Sequence, residues 1–331
     1  MKKKQKRTLL ILVILLAVLG ILATAVKLAG RKKEKAAAVS STPESVVSQK
    51  VYTAFSWKKN GTENSFTKKD GTWYWDADKS FPLNANYLTK LANTLNGLVP
   101  VQIIKDGDTL SAYGLDRPSV ILTATAKDGT KNTFALGGEA VNSSGNYYLM
   151  VNGNSSKIYV VDTTLHEELS TGVLSMMQLP ELPILQKGQL TTLEVKGKAD
   201  TLLTSKVKKS KKSSDEISVS WYAGGKNVTS NSAAKQIASD VSSMSVASAQ
   251  FYKPTAVQLT QSGLTSPAAV ITLRYTDDKN AVQTLTLTVG GKTSDGENYY
   301  VRLSGDSTVY AMSATKLAEL LTVAGSGLSA D

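Results

Sequence analysis

The chain has 331 residues, and its 38 Lys and Arg outweigh 27 Asp and Glu for a net charge of +11. That length suits about two domains, and an apolar share of 41% is enough for a sizeable core. No cysteine is present, which excludes disulfide scaffolds, thiol catalysis, thiolate metal sites and a lipidated cysteine as an anchor.

The basic excess is local. Residues 1–35 hold ten Lys or Arg against Glu34 alone, so they net +9 and leave +2 for residues 36–331. A nucleic-acid surface on the folded body is therefore not expected. Residues 1–7 form a basic cytoplasmic tail. Residues 8–26, TLLILVILLAVLGILATAV, carry no charge. At about 1.5 Å per residue they span ~28 Å, close to the ~30 Å hydrocarbon core of a bilayer. They are read as a single N-terminal transmembrane helix in the cell membrane, with the C-terminal body extracytoplasmic. Ala23-Thr24-Ala25 has the small-x-small form of a cleavage site, so a removed signal peptide is the alternative. The long apolar run and the following Lys27, Arg31, Lys32 and Lys33 favour retention. Residues 27–50 read as a flexible stalk, because 36–50 are Ala/Ser-rich and lack aromatics.

The body repeats itself. Tyr113-Gly114-Leu115-Asp116-Arg117-Pro118 matches Ser262-Gly263-Leu264-Thr265-Ser266-Pro267. Downstream, Gly137-Gly138 matches Gly290-Gly291, Tyr147-Tyr148 matches Tyr299-Tyr300, and Ile158-Tyr159-Val160 matches Val309-Tyr310-Ala311. The patterns agree too. Leu122, Ala124 and Ala126 alternate with polar residues as Ile271, Leu273 and Tyr275 do, which is the period of a strand with one buried face. Phe134 and Leu136 answer to Leu287 and Val289. Upstream lies an aromatic strand in each copy, at Trp73-Tyr74-Trp75 and Trp221-Tyr222. A helix follows each, with Leu88, Leu91, Leu95 and Leu98 on one face in the first and Ile237, Val241 and Met244 in the second.

The fold class is thus α+β, a tandem duplication of one unit with a mostly antiparallel sheet and one main helix. Its parts are a first repeat at 51–171, an apolar Pro-containing connector at 172–189, a second repeat at 190–322 and a C-terminal tail at 323–331. The connector's Met176, Leu179, Leu182, Ile184 and Leu185 are expected to pack and couple the units rigidly. Gly114, Leu115 and Pro118, with Gly263, Leu264 and Pro267, read as a structural turn: glycine permits positive φ and proline opens a strand.

These spaced elements, from YGLDRP through Asp128-Gly129, Gly137-Gly138, Tyr147-Tyr148 and Ile158–Asp162, resemble the domain-of-unknown-function family 4340 over residues 50–322. The second copy departs from the pattern at Ser262 and Thr265. The resemblance implies a membrane-anchored bacterial protein of the kind that accompanies ABC-type permeases and gliding-motility-like auxiliary subunits. It carries no catalytic residues over.

Catalytic candidates are few. His166, the one histidine, lacks metal-ligand spacing and aligns with Leu317. Ser56-x-x-Lys59 and Ser313-x-x-Lys316 have the spacing of an activated serine, and Lys292-Thr293-Ser294 resembles a companion motif in the wrong order. Ser313 and Asp162 both stand where a helix cap is needed. Gly137-Gly138 and Gly290-Gly291 are expected to close strands and lead into loops, and are not P-loops. Asp106-Gly107-Asp108 and Asp295-Gly296-Glu297 lack calcium-loop spacing. Tyr147, Tyr148, Tyr299 and Tyr300 are candidates for a contact surface, one of each pair buried and one exposed. Lys206, Lys208, Lys209, Lys211 and Lys212 form a basic loop that is either solvated or a contact for anionic lipid or wall polymer. The expectation is a non-enzymatic accessory protein without cofactor, metal or nucleic acid, acting through a protein partner such as an ABC-type permease. The alternative is a module binding cell-envelope polymer or an anionic lipid surface.

Overall fold

The computed structural model describes residues 45–59, 61–141, 143–209 and 217–329. The expected transmembrane helix and basic tail lie outside these residues. Among the described residues no helix is long and apolar enough to cross a membrane. The chain divides into two compact units. Unit 1 takes the described residues through Ser80 and Ala85–Ser170, while unit 2 takes Phe81–Asn84 and the described residues from Thr171 onward.

Unit 1 is one antiparallel sheet of eight strands. In chain order they are β1 (Tyr52–Lys59), β2 (Thr62–Lys69), β3 (Thr72–Trp75), β4 (Gln102–Lys105), β5 (Val120–Ala126), β6 (Lys131–Glu139), β7 (Asn146–Val151) and β8 (Lys157–Asp162). Their order across the sheet is β3-β2-β1-β5-β6-β7-β8-β4. Helix α1 (Asn86–Asn96) lies between β3 and β4, and α2 (Thr164–Ser170) follows β8. The expected faces are the buried ones. Leu122, Ala124, Phe134, Leu136 and Leu149 lose all exposure, as does Leu95 of α1. Burying such side chains contributes about 1.5–3 kcal/mol each. The hairpins of β1–β3 add an aromatic stack, with Phe55 on Trp73 and Trp57 on Phe66, each at 5.3 Å between ring centres.

Unit 2 repeats the design with nine strands. These are β9 (Leu190–Lys196), β10 (Thr201–Lys209), β11 (Ile217–Ala223), β12 (Lys226–Asn227), β13 (Ser248–Phe251), β14 (Ala269–Thr276), β15 (Val282–Lys292), β16 (Asn298–Leu303) and β17 (Val309–Ser313). The order β12-β11-β10-β9-β14-β15-β16-β17-β13 is that of unit 1 with β12 added at one edge. Helices α3 (Ser232–Val241), α4 (Ala256–Gln261) and α5 (Ala314–Ser326) complete it. Ile237, Val241 and Met244 are buried as their spacing requires. Helix α4 replaces the single 3-10 turn Leu110–Tyr113 of unit 1.

Several expectations need correction. Residues 45–50 do not behave as a free stalk. Val46 is buried and its N–H donates to the Leu98 carbonyl at 2.9 Å, while Lys50 exchanges backbone bonds with the Asn96 side chain. The Asn96 side chain at the end of α1, the Leu98 carbonyl and Asp128 give this stretch a seat. The supposed tail from 323 onward begins inside α5, where Val323 and Ala324 are buried. In the connector Met176 and Leu185 are buried, whereas Ile184 is 75% exposed. Phe81–Asn84, expected in the first repeat, belongs to unit 2. There Leu83 bridges Met177, and the Phe81 ring meets Tyr252 edge-on at 5.0 Å.

Candidate functional site

The recurring motifs explain one another. Gly114 and Gly263 sit in the left-handed region at φ 65° and 72°. Each turn lies against the glycine pair of the next strand hairpin. A Cβ on Gly137 would collide with the Tyr113 carbonyl oxygen, and one on Gly290 with the Ser262 carbonyl oxygen. A Cβ on Gly114 would come within 2.9 Å of the Gly138 nitrogen, and one on Gly263 within 2.8 Å of the Gly291 nitrogen. In unit 2 the Gly291 N–H donates to the Ser262 carbonyl at 2.8 Å. The pairs therefore do not close their strands; they lie inside β6 and β15, at β-bulges. The bulge turns the strand so that a backbone can approach it. Leu115 completes the contact in unit 1, buried with Ala135 and Ile158 on the face of the sheet opposite Phe134.

The catalytic candidates are engaged elsewhere. His166 is half-buried and stacks on Tyr147 at 4.2 Å with rings 7° apart. Burial pairs Leu317 with Leu165, the first buried residue of each helix, so His166 is displaced by one position from its expected counterpart. Lys59 donates to the Ser170 hydroxyl at 2.6 Å, and Ser56 and Lys59 point to opposite faces of β1. Lys316 reaches Asp240 at 3.8 Å and the Ser243 hydroxyl at 3.3 Å. Asp162 accepts from the Thr164 N–H at 3.0 Å, but the expected Ser313 cap bond is not made.

The terminal and main helices are joined by an ion pair of opposite polarity in the two units. Lys90 of α1 lies 3.5 Å from Glu168 of α2, whereas Asp240 of α3 faces Lys316 of α5. Glu168 also accepts from the Thr94 hydroxyl at 2.9 Å, and its Oε2 is buried without a partner. Burial pushes this carboxyl above its ordinary range, more than Thr94 and Lys90 pull it back.

The contact-surface tyrosines are all half-buried, not one buried and one exposed per pair. Each already has a neighbour. Tyr148 meets Tyr113 at 4.8 Å, Tyr300 stacks on Phe251 at 5.9 Å, and the Lys292 ammonium lies 5.7 Å from the Tyr299 ring centre. Lys206, Lys208 and Lys209 are exposed but lie in strand β10, not in a loop. Lys206 covers the Tyr222 ring at 4.6 Å. Lys211 and Lys212 lie outside the described residues.

Sequence reasoning missed a cleft on unit 1 of about 420 Å³. Val46, Val47 and Val151 form its apolar part. Ser48, Lys50, Thr130, Asn132, Asn152, Asn154 and Tyr159 form the polar part. Lys50 is paired to Asp128 at 2.7 Å. That pairing, followed by hydrogen bonds from Thr130, holds the Asp128 carboxyl well below the usual range. Beside the cleft the Tyr52 hydroxyl is buried without a hydrogen bond of good geometry, and burial raises its pKa despite the nearby Asn132 amide. The three asparagines were the available signal, but they are 22 residues apart at the extremes and meet only through strand pairing.

A model of a domain of unknown function, DUF4340, matches residues 73–249 and again residues 221–324. The two matches begin at Trp73 and Trp221, which occupy the same register position in β3 and β11. No curated protein and no solved structure shows significant similarity to the chain.

Proposed function

This chain belongs to the DUF4340 family, and from that premise we propose that it is a membrane-anchored extracytoplasmic accessory protein that works through protein contacts, not catalysis. Residues 8–26 serve as the anchor, and the partner is an ABC-type transport system, as the family resemblance implies. The observation that supports this best is the use made of the recurring residues. In both units Gly114, Gly137 and their counterparts Gly263 and Gly290 are spent on one internal backbone contact. What has been duplicated is a rigid shape. Gentle extraction of the anchored chain from its own membranes, followed by identification of copurifying proteins, tests the reading. Recovery of permease or ATPase subunits is expected; their reproducible absence would count against it.

A second reading, binding to anionic envelope polymer, is favoured by one observation. Lys206, Lys208 and Lys209 are exposed on β10, whose pairing with β9 ends at Thr204 while its pairing with β11 continues to Lys209. A basic two-stranded arm results. Replacing its lysines by serine should abolish sedimentation with isolated cell walls if this reading holds, and unchanged sedimentation removes it.

A further inference from the structure

We propose that the cleft of unit 1 binds a neutral, oxygen-rich ligand of the saccharide class. This inference does not depend on the accessory role.

The orientation of the asparagine amides is fixed from the backbone outward. The Thr133 N–H donates to Asn152 Oδ1 at 2.8 Å, so Asn152 must present its nitrogen on the other side. That nitrogen donates to Asn132 Oδ1 at 3.0 Å, which leaves the Asn132 nitrogen beside the buried Tyr52 hydroxyl. The Ser156 N–H donates to Asn154 Oδ1 at 3.2 Å and leaves the Asn154 nitrogen free. Each of these amide oxygens therefore already accepts at least one hydrogen bond from the protein. Beyond these bonds the cleft offers the amide N–H of Asn154 and the second N–H of Asn152, the hydroxyls of Ser48, Thr130 and Tyr159, and one ammonium. Such a surface selects a ligand rich in acceptor oxygens.

Charge decides between acceptors. The ammonium of Lys50 is in contact with the Asp128 carboxylate, so the pair adds no net charge. That carboxylate stays ionised throughout the physiological range and so offsets the pull of the ammonium on an anion. Ring, glycosidic and acetamido oxygens accept without bringing charge. Sugar hydroxyls can in turn donate to the cleft hydroxyls, and the valines suit the C–H faces of a pyranose. The volume falls within the range of roughly 300–1,000 Å³ usual for small-molecule sites.

Unit 2 serves as the internal control. Asn132 sits opposite Ala124 in the sheet, and Leu285 occupies that place opposite Leu273. Tyr52 pairs with Ala126 where Leu190 pairs with Tyr275. Asn154 is replaced by Asp306, whose carboxylate accepts from the Tyr310 hydroxyl at 2.5 Å. Tyr310 is the counterpart of Tyr159, since each pairs with the buried aliphatic residue of the preceding strand. The scaffold thus folds with apolar residues and a closed acid–phenol pair at these positions. The polar, open version in unit 1 is not demanded by the fold.

The test uses the full-length chain in a non-glycosidic detergent, with N,N′-diacetylchitobiose and maltotriose as probes in saturation-transfer NMR titrations. Saturable binding of at least one probe is expected. Asn132→Leu, which removes the acceptor that orients the Asn152 amide, and Asn154→Asp, which removes a donor, should each weaken it about tenfold, a loss of the order of one hydrogen bond to the ligand. Ser304→Asn in unit 2 should leave it unchanged. Asn154 is exposed, so its variant keeps the test valid even if Asn132→Leu fails to fold. Absence of saturable binding by either probe up to ~10 mM, equal binding by both cleft variants, or binding of inorganic phosphate in place of the saccharides would each overturn the proposal.

Discussion

Replacing Gly137 by alanine tests the structural account of the recurring motifs at one atom. The added Cβ meets the Tyr113 carbonyl oxygen, a backbone atom that cannot swing away. Relief requires the β6 bulge and the Gly114 turn to move apart, which would also disturb Leu115 against Ala135. Overpacking of this kind costs about 1–3 kcal/mol. For a unit of this size that corresponds to a fall in Tm of ~4–12 °C. The neighbouring Gly138 gives the contrast, because a Cβ there would stand 3.8 Å from the same oxygen, at ordinary contact distance. Gly138→Ala should therefore be neutral or slightly stabilising, because a strand glycine at an ordinary φ is itself ~0.5–1 kcal/mol less favourable than alanine. The same asymmetry is expected in unit 2, with Gly290 intolerant and Gly291, at 3.7 Å, tolerant. Differential scanning calorimetry of the four variants, with the two units' transitions resolved separately, reads the difference. Equal losses at both glycines of a pair, or no loss at either, would refute the reasoning.

Glu168→Gln addresses the buried carboxyl between α1 and α2. Its pKa in the fold lies above the ordinary 4.5, so its contribution to stability is full below that pH and is lost as pH rises through the raised value. The variant should accordingly be at least as stable as the parent at pH 7 and lose that advantage by pH 4, as followed by Tm across the range; a variant that is relatively worse at pH 7 than at pH 4 contradicts the assignment. Tyr310→Phe should destabilise unit 2 by about 1–3 kcal/mol, because the hydroxyl bonded to Asp306 is lost and the carboxylate keeps one fewer donor. In the parent this phenol, pushed up to about 12 by burial and then by Asp306, should not contribute to ultraviolet phenolate titration below pH 11 while the chain stays folded. Leu95→Ala, at a fully buried position of α1, should cost about 2–5 kcal/mol in urea unfolding.

The periodic parts of the fold were legible in the sequence. Leu122, Phe134 and Leu136, with Ile271, Leu287 and Val289, lie where alternation places them, and the leucines of α1 face inward as their spacing requires. Local periodicity suffices there because each residue reports its own face. Pairing between distant segments was not legible. The four-residue strands β4 and β13 join the sheet beyond β8 and β17, at the far edge from β1 and β9. Nothing within Gln102–Lys105 or Ser248–Phe251 specifies that partner. The contact of Gly137 with Tyr113 joins segments separated in sequence by β5, so each glycine pair read as a strand end. Residues 45–50 read as a stalk because their seat, made by Leu98, Asn96 and Asp128, is supplied by later parts of the chain. The cleft stayed hidden for the same reason. Its asparagines are ordinary turn and edge residues until β6 and β7 are paired.

The proposed arrangement has a single N-terminal anchor holding this duplicated body on the outer side of a membrane. Protease added to intact, wall-stripped cells tests it most directly, with an epitope placed before Lys2 and antibodies to the body. With the body outside, it is digested, while a membrane-embedded fragment of roughly 5 kDa retaining the N-terminal epitope is protected. A body that survives until the cells are lysed, or an epitope that is lost together with the body, would contradict it.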